Sequence, residues 1–252
     1  MIEAIHLTKV YDHQLAVQDL NLQIANELFV FLGPNGAGKT TTIKMMTGLL
    51  QPTSGSVRIG GYDLATQPVE AKKMFGLVPD TPVLYDKLTL IEFLQFVARM
   101  YEMDASSFKR RFSQLVELFD LQNKVNDLIQ TFSHGMKQKC VLAAALIHDP
   151  RVLFLDEPTV GLDPKSARHL KDLLRGLVKQ GTTVFMSTHI LEIAEAMCDR
   201  VGIIDHGQLI ACGTMDELRR QSSDRDQSLE EIFLELTGGS EYDEVLKYLE
   251  DK

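Results

Sequence analysis

The chain has 252 residues, of which 44% are hydrophobic and 24% charged, a composition typical of a folded globular protein with a substantial core. It carries 35 acidic and 26 basic residues, and the net charge of −9 argues against wholesale nucleic-acid binding, which needs a basic surface. The 3 cysteines are not spaced like metal ligands, which favours a reducing compartment and buried thiols.

Neither a membrane span nor a secretory signal is predicted. One of the longest apolar runs, Val141–Ile147, is far too short to cross a bilayer. The segment that follows Met1 has no basic region leading into an apolar core. We therefore expect a cytoplasmic protein, and any role at a membrane would come through a partner.

The first quarter of the chain predicts short strands. Leu20, Leu22 and Ile24 alternate with polar residues near the end of a strand-rich region at 2–25. Apolar residues alternate again at 57–59, between glycines that indicate turns. We expect these segments to form a small antiparallel sheet.

A glycine-rich loop lies between these segments, after an apolar run at 28–32 and before a helix that we expect to end near Gly48. Its spacing, Gly, four residues and Gly-Lys-Thr, is that of a phosphate-binding loop, although an ordinary glycine turn is the alternative. Backbone N–H groups and the helix N-terminus would bind the phosphates, with Lys39 on the β- and γ-phosphates and the Thr40 hydroxyl on Mg²⁺. The predicted phosphate site consists of Gly33, Pro34, Asn35, Gly36, Ala37, Gly38, Lys39, Thr40 and Thr41.

From about residue 84 to residue 147 the apolar pattern is helical. Thr89 and Glu92 form a capping box before one apolar stripe, and a second stripe follows Asp104. A third helix is expected to begin at Ser133. We interpret this region as a helical lobe inserted into an α/β sheet.

Strands and helices alternate after the lobe. Apolar runs at 152–155, 183–186 and 201–204 predict buried parallel strands separated by helices. The predicted fold class is α/β, a P-loop NTPase with a doubly wound, mainly parallel sheet, a small antiparallel β subdomain and the inserted helical lobe.

We expect two parts, a nucleotide-binding domain over residues 1–220 and a short helical C-terminal extension over 221–252. In the extension, Ser228 with Glu231 predicts a helix start, and glycines at 238 and 239 would stop that helix. An apolar stripe follows at 242–249, where packing against the domain is favoured over a partner surface.

Two adjacent acids, Asp156 and Glu157, follow the strand at 152–155. The carboxyl ends of parallel strands face the crevice in which such sheets bind ligands. We predict that Asp156 holds Mg²⁺ opposite Thr40, and that Glu157 orients and polarises the attacking water as general base. The alternative, a helix cap with solvated charge, is disfavoured by the phosphate loop.

These motifs and their order resemble the ATP-binding subunits of ABC transporters over nearly the full length of the chain. The resemblance implies that Tyr11 stacks on adenine, and that His189 is a switch histidine at the γ-phosphate that acts with Lys39 and Glu157. It also implies that Ser133 and Gly135 contact the γ-phosphate across a dimer, and that Asp163 belongs to a loop crossing the dimer interface. Asp163 is equally suited to capping a helix.

The chain departs from the family pattern at two places. Asp80 stands where the family has glutamine after Gly-x-Val-Pro, and residues 132–136 read Phe-Ser-His-Gly-Met where the family has Leu-Ser-Gly-Gly-Gln. Asp80 is shorter than glutamine and negatively charged. We therefore expect it to weaken or re-time the coupling between the nucleotide and the helical lobe.

The resemblance implies Mg²⁺-dependent ATP hydrolysis between two ATPase subunits, as a homodimer or heterodimer, that drives an integral membrane permease docked near residues 80–101. The tail at 228–238 resembles that of exporter ATPases with separate permeases, which favours export on the inner face of the cell membrane, with no nucleic-acid partner. The alternatives are an importer ATPase, a nucleic-acid- or ribosome-associated ATPase, a small-molecule kinase and a GTPase. The GTPase reading would use residues 123–126, which lack the aspartate that reads guanine.

Overall fold

The computed structural model describes residues 1–160, 164–221 and 227–237, and within these ranges the chain forms ten strands and nine α-helices. The strands are β1 (Ile2–Tyr11), β2 (Gln14–Ile24), β3 (Leu28–Leu32), β4 (Ser54–Ile59), β5 (Tyr62–Asp63), β6 (Phe75–Val78), β7 (Val152–Asp156), β8 (Thr183–Thr188), β9 (Arg200–Asp205) and β10 (Gln208–Gly213). The helices are α1 (Lys39–Met46), α2 (Pro68–Lys73), α3 (Leu90–Met100), α4 (Ala105–Leu118), α5 (His134–Leu146), α6 (Pro164–Lys179), α7 (Leu191–Met197), α8 (Met215–Gln221) and α9 (Leu229–Thr237).

The larger sheet has six strands in the order β10-β9-β3-β8-β7-β6. All its pairings are parallel except that of β10 with β9. Every residue of β3, β7 and β8 is buried, because helices cover one face of this sheet and α1 with the strands β1, β2 and β4 covers the other. The predicted doubly wound, mainly parallel sheet is therefore confirmed. Its parallel strands end at one edge, where β3 leads into the glycine-rich loop and β7 into the two acids.

The smaller sheet is antiparallel, in the order β2-β1-β4-β5, as predicted. Its buried side chains join α1 and the larger sheet in one apolar cluster. At the centre of that cluster, the Phe185 ring lies 5.6 Å from that of Phe29 and 5.7 Å from that of Phe154, measured between centroids. The glycine-rich loop is thus held between two sheets that share a core.

Helices α3, α4 and α5 form the predicted helical lobe, and each begins at a side-chain cap. Thr89 and Glu92 make the predicted capping box, in which each side chain accepts a hydrogen bond from the other residue's backbone N–H. Asp104 caps α4 by accepting from two backbone N–H groups, and Ser133 caps α5. These local signals fixed the helix starts because they depend only on residues three positions apart.

Five elements were not predicted: α2, β5, β6, β10 and α8. Each is short, with seven residues or fewer. The β6 segment carries a glycine at position 76 that interrupts its apolar run, and the segments at 68–73 and 215–221 are too polar for a clear helical stripe. Strand β6 matters for the site because Asp80 follows directly after it.

The described part of the C-terminal region ends in α9. The predicted cap is present, since Ser228 N donates to Glu231 Oε2 at 2.7 Å and Glu231 N donates to Ser228 Oγ at 3.3 Å. Leu229 and Ile232 are buried, and α9 packs against α7 and α8. The predicted stop at Gly238 and the stripe at 242–249 lie outside the described residues. None of the helices that the structure describes is long and apolar enough to cross a membrane.

Gly76 marks the closest approach of β6 to α5. A Cβ atom at this position would lie 2.1 Å from the carbonyl oxygen of Ala145. We expect Gly76→Ala to lower the free energy of unfolding by about 1–3 kcal/mol, because β6 and α5 would have to separate. Gly176→Ala on α6 is the control: a Cβ there meets no atom within 4 Å, and alanine should gain up to about 1 kcal/mol of helix propensity. Urea unfolding followed by circular dichroism measures both, and an unchanged midpoint for Gly76→Ala would contradict the contact.

Candidate nucleotide-binding site

The glycine-rich loop between β3 and α1 has the backbone of an anion cradle. Gly36 and Gly38 have φ angles of 84° and 106°, which side-chain-bearing residues rarely adopt. A Cβ on Gly38 would also lie 2.6 Å from the Ala16 carbonyl oxygen. No side chain caps α1, so the backbone N–H groups of its first turn have no capping partner and point toward the loop. This arrangement fits a bound phosphate.

Lys39 is the first residue of α1, and its ammonium group is folded back under the loop. Its Nζ donates to the carbonyl oxygens of Gly33 at 2.7 Å and Pro34 at 3.1 Å. The side chain is only 7% exposed. A buried ammonium held this way places positive charge at the loop, where the phosphates of a nucleotide would lie.

The loop faces a cleft of about 270 Å³. The cleft is lined by Ala16, Asn35, Gly36, Gly38, Lys39, Thr40, Thr41, Asp80 and Glu157. The structure thus brings most of the predicted phosphate site together with Asp80, which follows β6, and Glu157, which follows β7. The strand order explains why Asp80 and Glu157 lie near each other, because β6 and β7 are neighbours in the sheet.

Asp156 is the last residue of β7 and is 3% exposed. It accepts a 2.6 Å hydrogen bond from the Ser187 hydroxyl, and the Thr40 hydroxyl lies near enough to influence its pKa. Burial raises the pKa of Asp156 above its ordinary value, the charges of Asp80 and Glu157 add to that rise, and the two hydroxyls oppose it. Asp156 and Thr40 therefore lie near each other where β7 ends.

Glu157 lies between the phosphate loop and the end of β8. Its Oε1 is 3.2 Å from Lys39 Nζ, and its Oε2 is 3.0 Å from His189 Nδ1. The Lys39 contact is an ion pair without good hydrogen-bond alignment, since Oε1 has no hydrogen-bond partner within the described residues. The side chain of Glu157 is 15% exposed, so it is partly withdrawn from solvent and can still reach a ligand in the cleft.

The donor set fits a magnesium ion that is bound together with a nucleotide. Thr40 and Asp156 supply hard oxygen atoms at one corner of the phosphate loop. Within the described residues, no group of three or more His, Cys, Asp or Glu side chains could enclose a metal on its own. Mg²⁺ commonly takes one or two carboxylates and completes its coordination with phosphate oxygens and water.

Other predicted site residues lie away from this cleft. Tyr11 is 44% exposed at the end of β1, with Lys9 Nζ 5.1 Å from the centroid of its ring. Ser133 and Gly135 are exposed at the start of α5, where Ser133 Oγ accepts from Met136 N at 3.4 Å. Asp163 lies outside the described residues.

Ser187 is a site residue that sequence reasoning missed. Its side chain is fully buried, and its hydroxyl contacts both acids: Asp156 through Oδ1, and Glu157 through the backbone N–H at 3.0 Å. Asp156 and Ser187 are directly opposite each other in the β7–β8 pairing. The available signal was that both strands turn polar at their carboxyl ends.

The comparisons with known proteins agree with this geometry. Residues 17–160 match the family model described as ABC transporter. The linearmycin resistance ATP-binding protein LnrL of Bacillus subtilis (strain 168) is 40% identical over 219 residues, which cover 86% of this chain and 70% of LnrL. The daunorubicin/doxorubicin resistance ATP-binding protein DrrA of Streptomyces peucetius is 38% identical over 219 residues, which cover 86% of this chain and 66% of DrrA.

A solved structure of an ATP binding subunit of an ABC transporter superposes with a TM-score of 0.89 at 37% sequence identity. The match covers 94% of this chain and 99% of that one, so the two share nearly every described element. The phosphate loop and the paired acids lie within residues 17–160, which match the family model. The chain belongs to the ABC transporter family, as an ATP-binding subunit and an ATPase.

Proposed function

We propose that this protein hydrolyses ATP to power export of a substrate through a separate membrane permease. The observation that carries the proposal is the set of contacts around Glu157, which lies 3.2 Å from the phosphate-loop Lys39 and 3.0 Å from His189 over one cleft. Phosphoryl transfer to water needs positive charge and a positioned base, and this cleft offers both. The resistance functions named for LnrL and DrrA support export.

Nucleotide binding is assigned to the loop and its surroundings. Residues 33–41 bind the phosphates, with Lys39 on the β- and γ-phosphates, and Tyr11 stacks on the adenine ring. Thr40 and Asp156 hold Mg²⁺, which when bound neutralises phosphate charge. Exposure of the Tyr11 ring and the proximity of Thr40 to Asp156 support these roles.

Hydrolysis is assigned to Glu157, Lys39 and His189. The Glu157 carboxylate orients the attacking water and accepts its proton, and His189 holds the carboxylate through Nδ1 while reaching the γ-phosphate. Lys39 stabilises the negative charge that develops on the transferred phosphoryl group. The position of Glu157 between the two basic side chains supports this division of work.

A second ATPase subunit, which is either another copy of this chain or a different ATPase chain, completes the site. Ser133 and Gly135 do not line the cleft of their own chain, yet they lie exposed at the N-terminus of α5, which favours anions. We assign them to the γ-phosphate bound by the partner subunit, and Asp163 to the interface between the two. The dimer would therefore close around two nucleotides.

The permease is assigned to the surface that surrounds residues 80–101. Val83, Tyr85, Phe96 and Met100 are exposed by 79%, 56%, 42% and 67%, an apolar and aromatic surface that suits a protein partner. The protein would then sit on the inner face of the cell membrane through its permease, with no nucleic-acid partner. We also propose that residues 1–220 form an ATPase domain and that residues 221–252 form a C-terminal extension.

The test is to purify the affinity-tagged chain from detergent extracts of its own cells and to identify the membrane protein that co-purifies. We expect a multi-span permease and Mg²⁺-dependent ATP hydrolysis. Phe96→Glu should reduce the recovery of the permease, whereas Leu118→Glu, which changes an even more exposed apolar residue on α4, should not. Recovery of ribosomes, or of a permease with a substrate receptor, would replace export with one of the alternatives.

Asp80 allows a test of the coupling between the bound nucleotide and the helical lobe. Asp80→Gln removes a negative charge from a cleft that receives phosphates, so we expect ATP to bind about 3- to 10-fold more tightly. The amount of substrate transported per ATP should rise as well, measured in vesicles that contain the permease. Glu70→Gln on the exposed face of α2 makes the same charge change away from the cleft and is the control. An Asp80→Gln protein with unchanged ATP binding, hydrolysis and transport would contradict the role.

A further inference from the structure

The hydroxyl of Ser187 connects the two acids at the end of β7. It lies 2.6 Å from Asp156 Oδ1 and 3.0 Å from the backbone nitrogen of Glu157. A backbone N–H can only donate, so the hydroxyl accepts from Glu157 and its single proton goes to Asp156. Because the side chain is fully buried, no water competes for either bond. The hydroxyl is therefore fully committed to these two neighbours.

The backbone of Glu157 needs such a partner. Its φ angle is 49°, in the left-handed region that residues with a side chain rarely adopt, and proline follows at position 158. The β7–β8 ladder ends with the pair formed by Asp156 and Ser187, so Glu157 lies just past the last pair of strand residues. The bond to Ser187 is what joins this strained residue to β8.

We propose that Ser187 is a positioning residue for ATP hydrolysis, one that fixes the two acids relative to each other. Its hydroxyl holds the Asp156 carboxylate in place at the end of β7. It also holds the backbone of Glu157, so that the Glu157 carboxylate lies beside Lys39. Ser187 itself is fully buried and is not among the described residues that line the cleft. The inference rests on the proposed function, because it assigns Ser187 a part in the same reaction.

Loss of the hydroxyl should impair the chemical step more than nucleotide binding. Without it, the Asp156 carboxylate loses its 2.6 Å hydrogen bond and can rotate, and the Glu157 backbone loses its connection to β8. A displacement of about 1 Å in a reacting group can cost on the order of 100-fold in rate. The phosphate loop and the bonds of Lys39 to its carbonyls remain in place, so the KM for ATP should change little.

The matched set of variants consists of Ser187→Ala, Ser187→Thr and Thr183→Val. Threonine keeps a hydroxyl at position 187. Thr183 lies at the other end of β8, is 1% exposed, and accepts a 3.0 Å hydrogen bond from Asn26 N. Thr183→Val therefore removes a buried hydroxyl from the same strand without touching the acids, and controls for a general loss of stability.

We expect Ser187→Ala to lower kcat by about 10- to 100-fold with a KM for ATP within about threefold of the wild type. The Mg²⁺ concentration for half-maximal binding of a fluorescent, non-hydrolysable ATP analogue should rise severalfold, a readout that does not depend on turnover. Ser187→Thr should recover most of the kcat. Thr183→Val should lower the thermal unfolding midpoint but leave kcat and the Mg²⁺ dependence unchanged.

The outcomes separate this inference from the proposed function. If the wild type is active and the Ser187→Ala protein is equally active, the inference is overturned but the proposed function stands. The same holds if Ser187→Ala loses no more kcat than Thr183→Val does. A wild type without Mg²⁺-dependent hydrolysis would overturn the proposed function, and the inference with it. If Ser187→Ala does not fold by circular dichroism, Ser187→Cys, which keeps the volume and weakens the hydrogen bonds, takes its place with the same expected fall in kcat.

Discussion

Replacing Glu157 with Gln is expected to lower the rate of ATP hydrolysis by about 100- to 1,000-fold while ATP binding persists. The amide keeps the size of the side chain and can still lie beside Lys39 and His189, but it cannot accept a proton from water. An ATP-bound dimer should therefore accumulate. Size-exclusion chromatography with ATP, and phosphate release under the same conditions, measure the two effects.

Glu192→Gln on α7 is the control for Glu157→Gln. Glu192 is exposed and lies three residues after His189 along the chain, so the substitution makes the same chemical change near the site but outside it. We expect wild-type turnover and no stable dimer. Normal turnover in the Glu157→Gln protein would remove Glu157 from its assigned role as general base.

Replacing Lys39 with Ala is expected to weaken ATP binding at least about 100-fold, a free-energy loss of about 2.7 kcal/mol or more. Of the described residues that line the cleft, Lys39 alone carries a positive charge. The substitution also leaves Glu157 without its ion-pair partner at 15% exposure, which adds repulsion toward phosphate. Equilibrium binding of a fluorescent ATP analogue measures the loss.

Lys44→Ala, in the last turn of the same helix, is the matched control because Lys44 is exposed and does not line the cleft. It should bind ATP as the wild type does. If the Lys39→Ala protein bound ATP with unchanged affinity, the phosphate loop would not be the nucleotide site and the proposed function would fail with it.

Sequence predicts well those parts of the fold that depend on residues close together in the chain. The capping boxes at Thr89 and Ser228 depend on a glutamate three residues later, and the glycine-rich loop depends on spacing within nine residues. The confirmed buried strands, such as β7, show as uninterrupted apolar runs. Each of these signals can be read in one short window of the chain.

What sequence could not predict depends on strands that are distant in the chain. The bond from Ser187 to Asp156 exists because β8 pairs with β7 in one register, and a shift of one residue would turn Ser187 to the opposite face of the sheet. The left-handed backbone of Glu157 has no signal in its own residue type. Strand β6 gave only a weak pattern, although its place beside β7 is what brings Asp80 to the cleft.

The balance of charge around the cleft affects the form in which a nucleotide can bind there. Asp80 and Glu157 line it and Asp156 lies directly behind, whereas Lys39 is the cation among the described lining residues. A bare nucleotide, with four negative charges, would meet repulsion that a divalent ion already bound to it removes. We therefore expect Mg²⁺ to enter the cleft already bound to the nucleotide. The concentration of free Mg²⁺ in the cell would then govern what fraction of the protein holds a nucleotide at any moment.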